Sequence, residues 1–312
     1  VVAASEAVGA TRSRLAKTAA LADALRQAPD HELPIVVAYL AGDLPQRQIG
    51  VGWASVRDAP APAAGSSLTV AEVDGALGAI GAMSGAGSQS ARRRALAALL
   101  SAATADEQRF LRQLMIGELR QGALAGLMAD AVAAAADVPV ADVRRAAMLR
   151  GELPAVAIAA RAGGAAALRA FALQVGRPIA PMLAKTADDP ADAIGRLGPA
   201  IFDRKLDGAR IQVHRDGSDI AVFTRSLDDI TARSPEVISA VAALPARRIV
   251  LDGEAMALRP DGAPESFQVT AARFGARRDV AAASAATALR PYFFDLLHLD
   301  GEDYLDRPAR ER

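Results

Sequence analysis

A lysine in the second half of the chain stands just before a predicted hairpin and is followed by an acid, a glycine and an arginine. Lys205 is followed by Leu206-Asp207-Gly208, and Arg210 completes the window. Lysine is the uncommon basic residue here, because the only others are Lys17 and Lys185. A lysine amine can act as a nucleophile, whereas the arginine guanidinium does not deprotonate in proteins. The window predicts a lysine nucleophile, and the alternative is a surface lysine in a turn that leads into a strand.

Three later windows place charged and aromatic side chains in plausible strand or strand-end settings. They read TRSLDDIT at 224–231, LDGE at 251–254 and YFFD at 292–295. Each window contains one residue of interest, which is Arg225 in the first, Glu254 in the second and Phe294 in the third. Taken singly, the arginine also fits a plain surface charge, the glutamate a solvated strand face and the phenylalanine an ordinary core aromatic.

These windows lie in a part of the chain whose pattern is typical of strands. After Gly176, alternating apolar residues predict a hairpin at 211–215 and 220–223, turned by Asp216-Gly217, and further strands at 249–258 and 292–298. A helix is predicted to begin at Ser234, as a cap, with Pro235 in its first turn. The second half is therefore predicted to be α+β with antiparallel strands.

The first half has the pattern of a helical domain. Apolar residues recur three or four apart in alanine-rich segments, separated by Gly/Pro/Ser breaks at 60–67 and 85–88. Thr69 with Glu72, and Thr104 with Glu107, have the spacing of capping boxes. We therefore predict an all-helical domain over residues 1–176 and a second domain over 177–312.

Composition excludes several classes of site and of protein. The 312 residues include 52% hydrophobic residues and 36 basic against 36 acidic side chains, so the chain is neither disordered nor histone-like. The absence of cysteine excludes disulfides, thiolate nucleophiles and Cys/His zinc sites. A metal would need oxygen ligands. The sequence shows neither a signal peptide nor an apolar run long enough to span a bilayer, so we expect a cytoplasmic protein without a membrane partner.

The four chemical windows, in this order, resemble a known enzyme family. Lys205-Leu206-Asp207-Gly208 resembles motif I of the covalent nucleotidyltransferases, which include DNA ligases, RNA ligases and mRNA-capping guanylyltransferases. The later windows look like the arginine segment, motif III and motif IIIa of ATP-dependent DNA ligases. In the first half, the segments at 40–44, 49–53, 85–88 and 117–122 resemble the helical DNA-binding domain of such ligases, and 181–185 looks like the start of the catalytic domain. The resemblance covers nearly the whole chain and is closest to the actinobacterial ligase B type.

The resemblance implies a fold and a role for each site residue. It implies a helical DNA-binding domain followed by an incomplete nucleotidyltransferase (adenylation) domain of two packed antiparallel sheets with flanking helices. ATP and Mg²⁺ are the implied cofactors. Lys205 would form lysyl-AMP, Asp203 would meet the adenine edge where the family usually carries glutamate, Arg210 and Arg225 would hold ribose and phosphate, Glu254 would bind ribose hydroxyls or the metal, and Phe294 would stack on adenine. The family's later motifs and OB-fold are not among these residues, so we expect that the chain alone cannot seal DNA.

The implied partner is nicked double-stranded DNA, and we expect the protein to act as a monomer. Residues 1–176 contain 17 basic and 15 acidic side chains, a net charge of +2, which is a weak electrostatic footprint. Arg47, Arg92, Arg93 and Arg120 would therefore supply local charge beside glycine-rich loops, although 92–94 also fit a solvated helix face. Two alternatives stay open: an RNA ligase or capping-type enzyme, and a non-catalytic DNA-binding fragment.

Overall fold

The structure is a computed structural model that describes residues 1–46, 49–119, 125–181, 184–276 and 278–312. The chain divides into two compact units, Val1–Phe171 and Ala172–Arg312. The sequence pattern predicts the division a few residues later, after Gly176. None of the helices in the described part of the chain is long and apolar enough to cross a membrane.

The first unit is built from helices, as the periodicity predicts. They are α1 (Val2–Gly9), α2 (Arg14–Gln27), α3 (Leu33–Ala41), α4 (Trp53–Val56), α5 (Val70–Ala82), α6 (Ser88–Ala102), α7 (Ala105–Met115), α8 (Ala125–Ala136), α9 (Val140–Arg150) and α10 (Leu153–Arg169). One apolar core joins α2, α3, α8, α9 and α10 around Leu25, Met128 and Val143. A second joins α5, α6 and α7 around Leu77 and Leu96. Burying each such leucine or methionine contributes about 1.5–3 kcal/mol.

Both predicted capping boxes are confirmed at the starts of α5 and α7. The Thr69 hydroxyl accepts the Glu72 N–H at 3.2 Å, and Glu72 Oε2 accepts the Thr69 N–H at 2.8 Å. Thr104 and Glu107 make the same reciprocal pair. Each box satisfies backbone donors that have no partner within the helix. These caps therefore fix where the two helices begin.

The second unit contains one antiparallel sheet among the described residues. Its elements are α11 (Pro190–Leu197), β1 (Ala209–Asp216), β2 (Asp219–Thr224), a 3₁₀ turn (Thr231–Arg233), α12 (Pro235–Ala242), β3 (Arg248–Ala257), α13 (Phe267–Gly275), α14 (Val280–Ala286), β4 (Leu289–Leu299), β5 (Glu302–Asp303) and a 3₁₀ turn (Ala309–Glu311). The strand order is β2-β1-β3-β4-β5. The predicted antiparallel strands are confirmed. The expected pair of packed sheets is not found in the described ranges, because all these strands join edge to edge in a single sheet.

The two faces of this sheet differ in chemistry. On β1, Ile211 and Val213 point into an apolar core that α12 and α13 cover. The intervening residues Arg210, Gln212 and His214 lie on the opposite face, because side chains alternate along a strand. We call that opposite face the polar face. Gln212 holds the incoming chain there: its Oε1 accepts the Ile179 N–H at 2.8 Å, and its Nε2 donates to the Ile179 carbonyl at 3.1 Å.

Two local details differ from the sequence predictions. The hairpin turn is Gly217-Ser218 rather than Asp216-Gly217, because Asp216 still pairs with Asp219. Gly217 supplies the positive φ of 63° that this turn requires. Ser234 does precede α12, but its hydroxyl donates to the Ile230 carbonyl at 3.0 Å and so does not cap the helix.

Candidate active site

Lys205 lies in an exposed loop that ends where β1 begins. The end of the loop is fixed to β3 by Gly208, whose N–H donates to Glu254 Oε1 at 3.1 Å. A Cβ at Gly208 would lie 2.5 Å from the Ala255 carbonyl oxygen, so a larger residue does not fit. The glycine therefore allows the lysine loop to approach the strand that carries Glu254.

Glu254 lies on the polar face, where the charges of Lys205 and Arg210 act on its carboxylate. Burial raises the pKa of Glu254 above its usual range, while the Gly208 N–H and the charges of Lys205 and Arg210 act in the opposite direction. Arg210 on β1 is the direct register partner of Glu254 on β3. The structure thus brings Lys205, Arg210 and Glu254 to one end of the sheet.

Arg210 is held by a two-pronged ion pair with Asp252. Its Nε and Nη2 lie 2.9 and 2.5 Å from the two carboxylate oxygens of Asp252. The Asp252 side chain is only 8% exposed, and its hydrogen bonds raise the pKa of Arg210 above the usual value. The guanidinium carbon also lies 5.5 Å from the centre of the Phe294 ring. Its orientation is therefore fixed before any ligand binds.

Phe294 projects from an irregularity in the sheet. Asp252 pairs with Asp295 and Gly253 pairs with Phe293, so Phe294 is an extra residue with no register partner on β3. A bulge of this kind redirects a side chain. Phe294 is 45% exposed, which contradicts the ordinary-core alternative and leaves the ring available for stacking.

Arg225 lies in the turn after β2 and is exposed. Its neighbour Thr224 pairs with Ile211 on β1, so Arg225 follows at the end of the sheet where Arg210 lies. Side-chain bonds order this turn: Ser226 donates to Asp228 at 2.6 Å, and the Asp228 N–H donates to the Thr224 hydroxyl at 3.2 Å. The turn therefore places the Arg225 cation at the end of the sheet where Arg210 lies.

Asp203 bonds to the adjacent backbone and not to the sheet that carries the other predicted residues. It is exposed, and its Oδ1 accepts the N–H of the next residue, Arg204, at 2.8 Å. Its carboxylate is bonded to its own backbone segment.

Two acids on the polar face belong to this arrangement and were given no role from the sequence. Asp252 could have been recognised, because LDGE places it two residues before Glu254 and hence on the same face. Asp295 is hidden from such reasoning by the bulge. It pairs with Arg312 at 2.9 Å, its Oδ1 is buried without a hydrogen-bond partner among the described residues, and burial raises its pKa.

The acids present do not form a protein cage for a metal. Within the described ranges no group of three or more His, Asp or Glu side chains could hold an ion. Asp252 is bound by Arg210, whereas Glu254 lies close enough to Lys205 for the lysine charge to act on it. Mg²⁺ is commonly bound through one or two carboxylates with substrate phosphates and water. The site fits that open type of binding.

The arginines predicted to bind DNA have different surroundings. Arg92 is partly buried, and its guanidinium donates to the carbonyls of Ile80, at 3.3 Å, and Met83 at the end of α5. Arg92 therefore ties α6 to α5, and its contact with DNA stays a prediction. Arg93 is exposed on α6. Arg47 and Arg120 lie outside the described residues.

Comparisons with known proteins agree with the motifs. The family model of the DNA ligase N terminus matches residues 54–133, and that of the ATP dependent DNA ligase domain matches residues 181–312. A Probable DNA ligase of Mycobacterium sp. (strain KMS) is 59% identical over 100% of this chain and 60% of its own length. One from Mycolicibacterium gilvum (strain PYR-GCK) is 58% identical over 100% of this chain and 61% of its own length. The chain thus spans about 60% of the length of these relatives.

A solved structure named Pmar-Lig_PreS3 is similar in fold. It is 17% identical, with a TM-score of 0.51, over 95% of this chain and 56% of its own. The resemblance found in the motifs is confirmed by the family models and the relatives. Because both models match in order and relatives named DNA ligase align over the full chain, the chain belongs to the ATP-dependent DNA ligase family.

Proposed function

We propose that the second unit belongs to an enzyme that adenylates itself on Lys205 with ATP and uses the adenylate to seal nicks in duplex DNA. The observation that carries this proposal is the fixed approach of the lysine loop to Glu254, beside a prepositioned arginine and an exposed aromatic ring. The Lys205 Nζ, as a free amine, attacks the α-phosphorus of ATP. An N–P bond forms, the bond to the pyrophosphate oxygen breaks, and the amine loses its proton to solvent.

The remaining residues of the site would bind the nucleotide. Phe294 offers its exposed face to adenine, and Glu254 accepts from ribose hydroxyls. Arg225, in the exposed turn, would bind the phosphate groups. Arg210 would lie near the ribose, with its guanidinium oriented by Asp252. Asp203 would reach the adenine edge only after releasing its bond to the Arg204 N–H.

Magnesium would be held by Glu254, the phosphates and water. When bound, it would neutralise charge on the phosphates during transfer. The adenylate would then pass to the 5′-phosphate at a nick, and the adjacent 3′-hydroxyl would displace AMP and close the backbone. The first unit would hold the duplex through its cationic loops.

The test uses the full product of the gene that encodes this chain. It is incubated with ATP and Mg²⁺, and the intact mass and peptide map are measured. We expect a gain of one AMP on Lys205 through an acid-labile bond, and none in Lys205→Arg. Lys17→Arg, in the first unit, is the matched control and should adenylate normally.

The acceptor decides between the remaining alternatives. Adenylated protein supplied with nicked DNA should seal it in preference to nicked RNA or a capped-end acceptor. Preference for an RNA end would favour the RNA ligase or capping-type alternative. Complete absence of an adduct, with normal binding to DNA, would show that the protein is a non-catalytic DNA-binding protein.

A further inference from the structure

The pairing of β3 with β4 contains two irregularities with opposite outcomes. In each of them β4 has an extra residue without a register partner, Phe294 in the first and Leu297 in the second. Leu297 is 5% exposed, whereas Phe294 is 45% exposed. On β3 the second irregularity falls between Val250 and Leu251, so an extra residue on β4 does not by itself require a glycine on β3. The first irregularity differs because Gly253 lies opposite it.

Gly253 has no room for a side chain. It is the register partner of Phe293, the residue before Phe294. A Cβ at Gly253 would lie 2.5 Å from the Tyr292 carbonyl oxygen and 2.8 Å from Phe293 Cδ1. The φ of Gly253 is outside the left-handed region, so the backbone conformation does not require glycine here. The close approach of β4 to β3 is therefore what requires it.

The two neighbouring phenylalanines of β4 have different surroundings. Phe293 packs against the apolar core of the second unit, and its ring occupies the space that a side chain at position 253 would fill. Phe294 is exposed, and its ring centre lies 5.5 Å from the guanidinium carbon of Arg210. The contact of Phe293 with Gly253 thus anchors the strand directly before the exposed ring.

We propose that Gly253 is a positioning residue for the nucleotide. Because it has no side chain, the β4 backbone and the Phe293 ring lie against β3, and this contact sets the direction in which Phe294 leaves the sheet. Stacking depends on the separation and the angle of the two rings, so a displaced β4 weakens the binding of a base. This inference rests on the proposed function, in which Phe294 stacks on adenine, and adds the residue that sets the position of the ring.

Binding of ATP to the full product of the gene tests the inference. All proteins compared carry Lys205→Arg, which prevents transfer of AMP and leaves an equilibrium that isothermal titration calorimetry measures. Phe294→Ala should weaken ATP binding about tenfold, as removal of an aromatic side chain that stacks on a base does. Gly253→Ala should weaken it by a similar factor, because the added methyl group must displace β4. Gly195→Ala is the matched control, since it adds the same group where no atom lies within 4 Å.

Two further measurements separate a displaced ring from a general loss of structure. Binding of inorganic tripolyphosphate, which has no base, should be unchanged by Gly253→Ala. The double variant Gly253→Ala/Phe294→Ala should bind ATP no more weakly than Phe294→Ala, because the position of the ring has no effect once the ring is removed. An equal loss of tripolyphosphate binding, or a double variant in which the two losses add, would overturn the inference. If Gly253→Ala does not fold, Phe293→Leu takes its place with the same expected results, since it removes the ring that lies over Gly253.

The adenylation of the protein with its native lysine is measured separately and distinguishes this inference from the proposed function. An adduct on Lys205, together with ATP binding that neither Gly253→Ala nor Phe293→Leu changes, would overturn the inference and leave the proposed chemistry intact. Unchanged ATP binding in Phe294→Ala would remove the stacking role and the inference with it. Absence of an adduct would contradict the proposed chemistry, whereas a selective loss of ATP binding in Gly253→Ala would still support its role in positioning the ring.

Discussion

At the scale of single residues, the candidate site depends on a position that has no room for a side chain. Gly208 lies against Ala255, Met256 and Glu254 on β3. Any residue with a Cβ must push the lysine loop away from the strand or displace the strand itself. The glycine of the lysine window is therefore required by packing.

Gly208→Ala should consequently separate Lys205 from Glu254 and reduce adenylate formation by at least about tenfold, since small displacements of reacting groups are costly. The initial rate of adenylation measures the effect. Gly195→Ala is the control: Gly195 lies in α11, where an added Cβ would meet no atom within 4 Å, and alanine favours helix. Equal rates for both variants and the wild type would contradict this account of the loop.

The pair of Arg210 and Asp252 is the second determinant at this scale. Asp252→Asn removes the charge that faces a half-buried guanidinium and weakens two hydrogen bonds. The free energy of unfolding should fall by about 1–3 kcal/mol, measured by urea denaturation. The matched control is Asp216→Asn, which breaks the exposed pair of Asp216 with Arg248 on the same sheet. Because exposed pairs contribute little, the control should lose less than about 1 kcal/mol, and a loss as large as that of Asp252→Asn would argue against the pair.

At the scale of elements, Arg92 on α6 donates to carbonyls at the end of α5, and its guanidinium packs against Gly50. Carbonyls at the end of a helix lack partners within it, and a cation near them is favourable. Arg92→Gln should therefore lower the free energy of unfolding of the first unit by about 1–2 kcal/mol. Arg93→Gln should change it by less than about 0.5 kcal/mol, because that side chain is exposed. Thermal denaturation followed by circular dichroism compares the two, and the reverse order would show that Arg92 is not a structural residue.

The same elements show what local sequence can and cannot predict. The capping boxes at Thr69 and Thr104 were predictable, because their partners lie three residues away. The strands were predictable from alternation. The exposure of Phe294 was not, because it depends on one extra residue in the pairing of β4 with β3. The engagement of Arg92 was also not predictable, since its carbonyl partners belong to another helix. The roles of the site residues remain predictions that the adenylation experiment tests.

At the scale of the whole molecule, stability depends on how the segment that precedes the sheet, residues 176–179, is held against its polar face. His214 is 1% exposed there. Its Nδ1 accepts the Gly176 N–H at 3.0 Å, so its proton lies on Nε2, which donates to Gln212 Oε1 at 2.8 Å. Gln212 in turn binds Ile179. These bonds hold the segment that leads into the sheet, and they require a neutral imidazole.

The free energy of unfolding should therefore decrease on mild acidification. Burial, and secondarily the charge of His298, lowers the pKa of His214 from 6.5 to about 4. Between these values the unfolded chain binds a proton that the folded chain does not, so unfolding becomes more favourable as the pH falls. The expected slope approaches about 1.4 kcal/mol per pH unit between about pH 6.5 and 5. His214→Gln should be less stable at about pH 7 but should lose most of this slope, whereas His31→Asn, which removes an exposed histidine of the first unit, should retain it. Urea denaturation at a series of pH values measures the slopes, and an unchanged slope in His214→Gln would assign the acid sensitivity to another group.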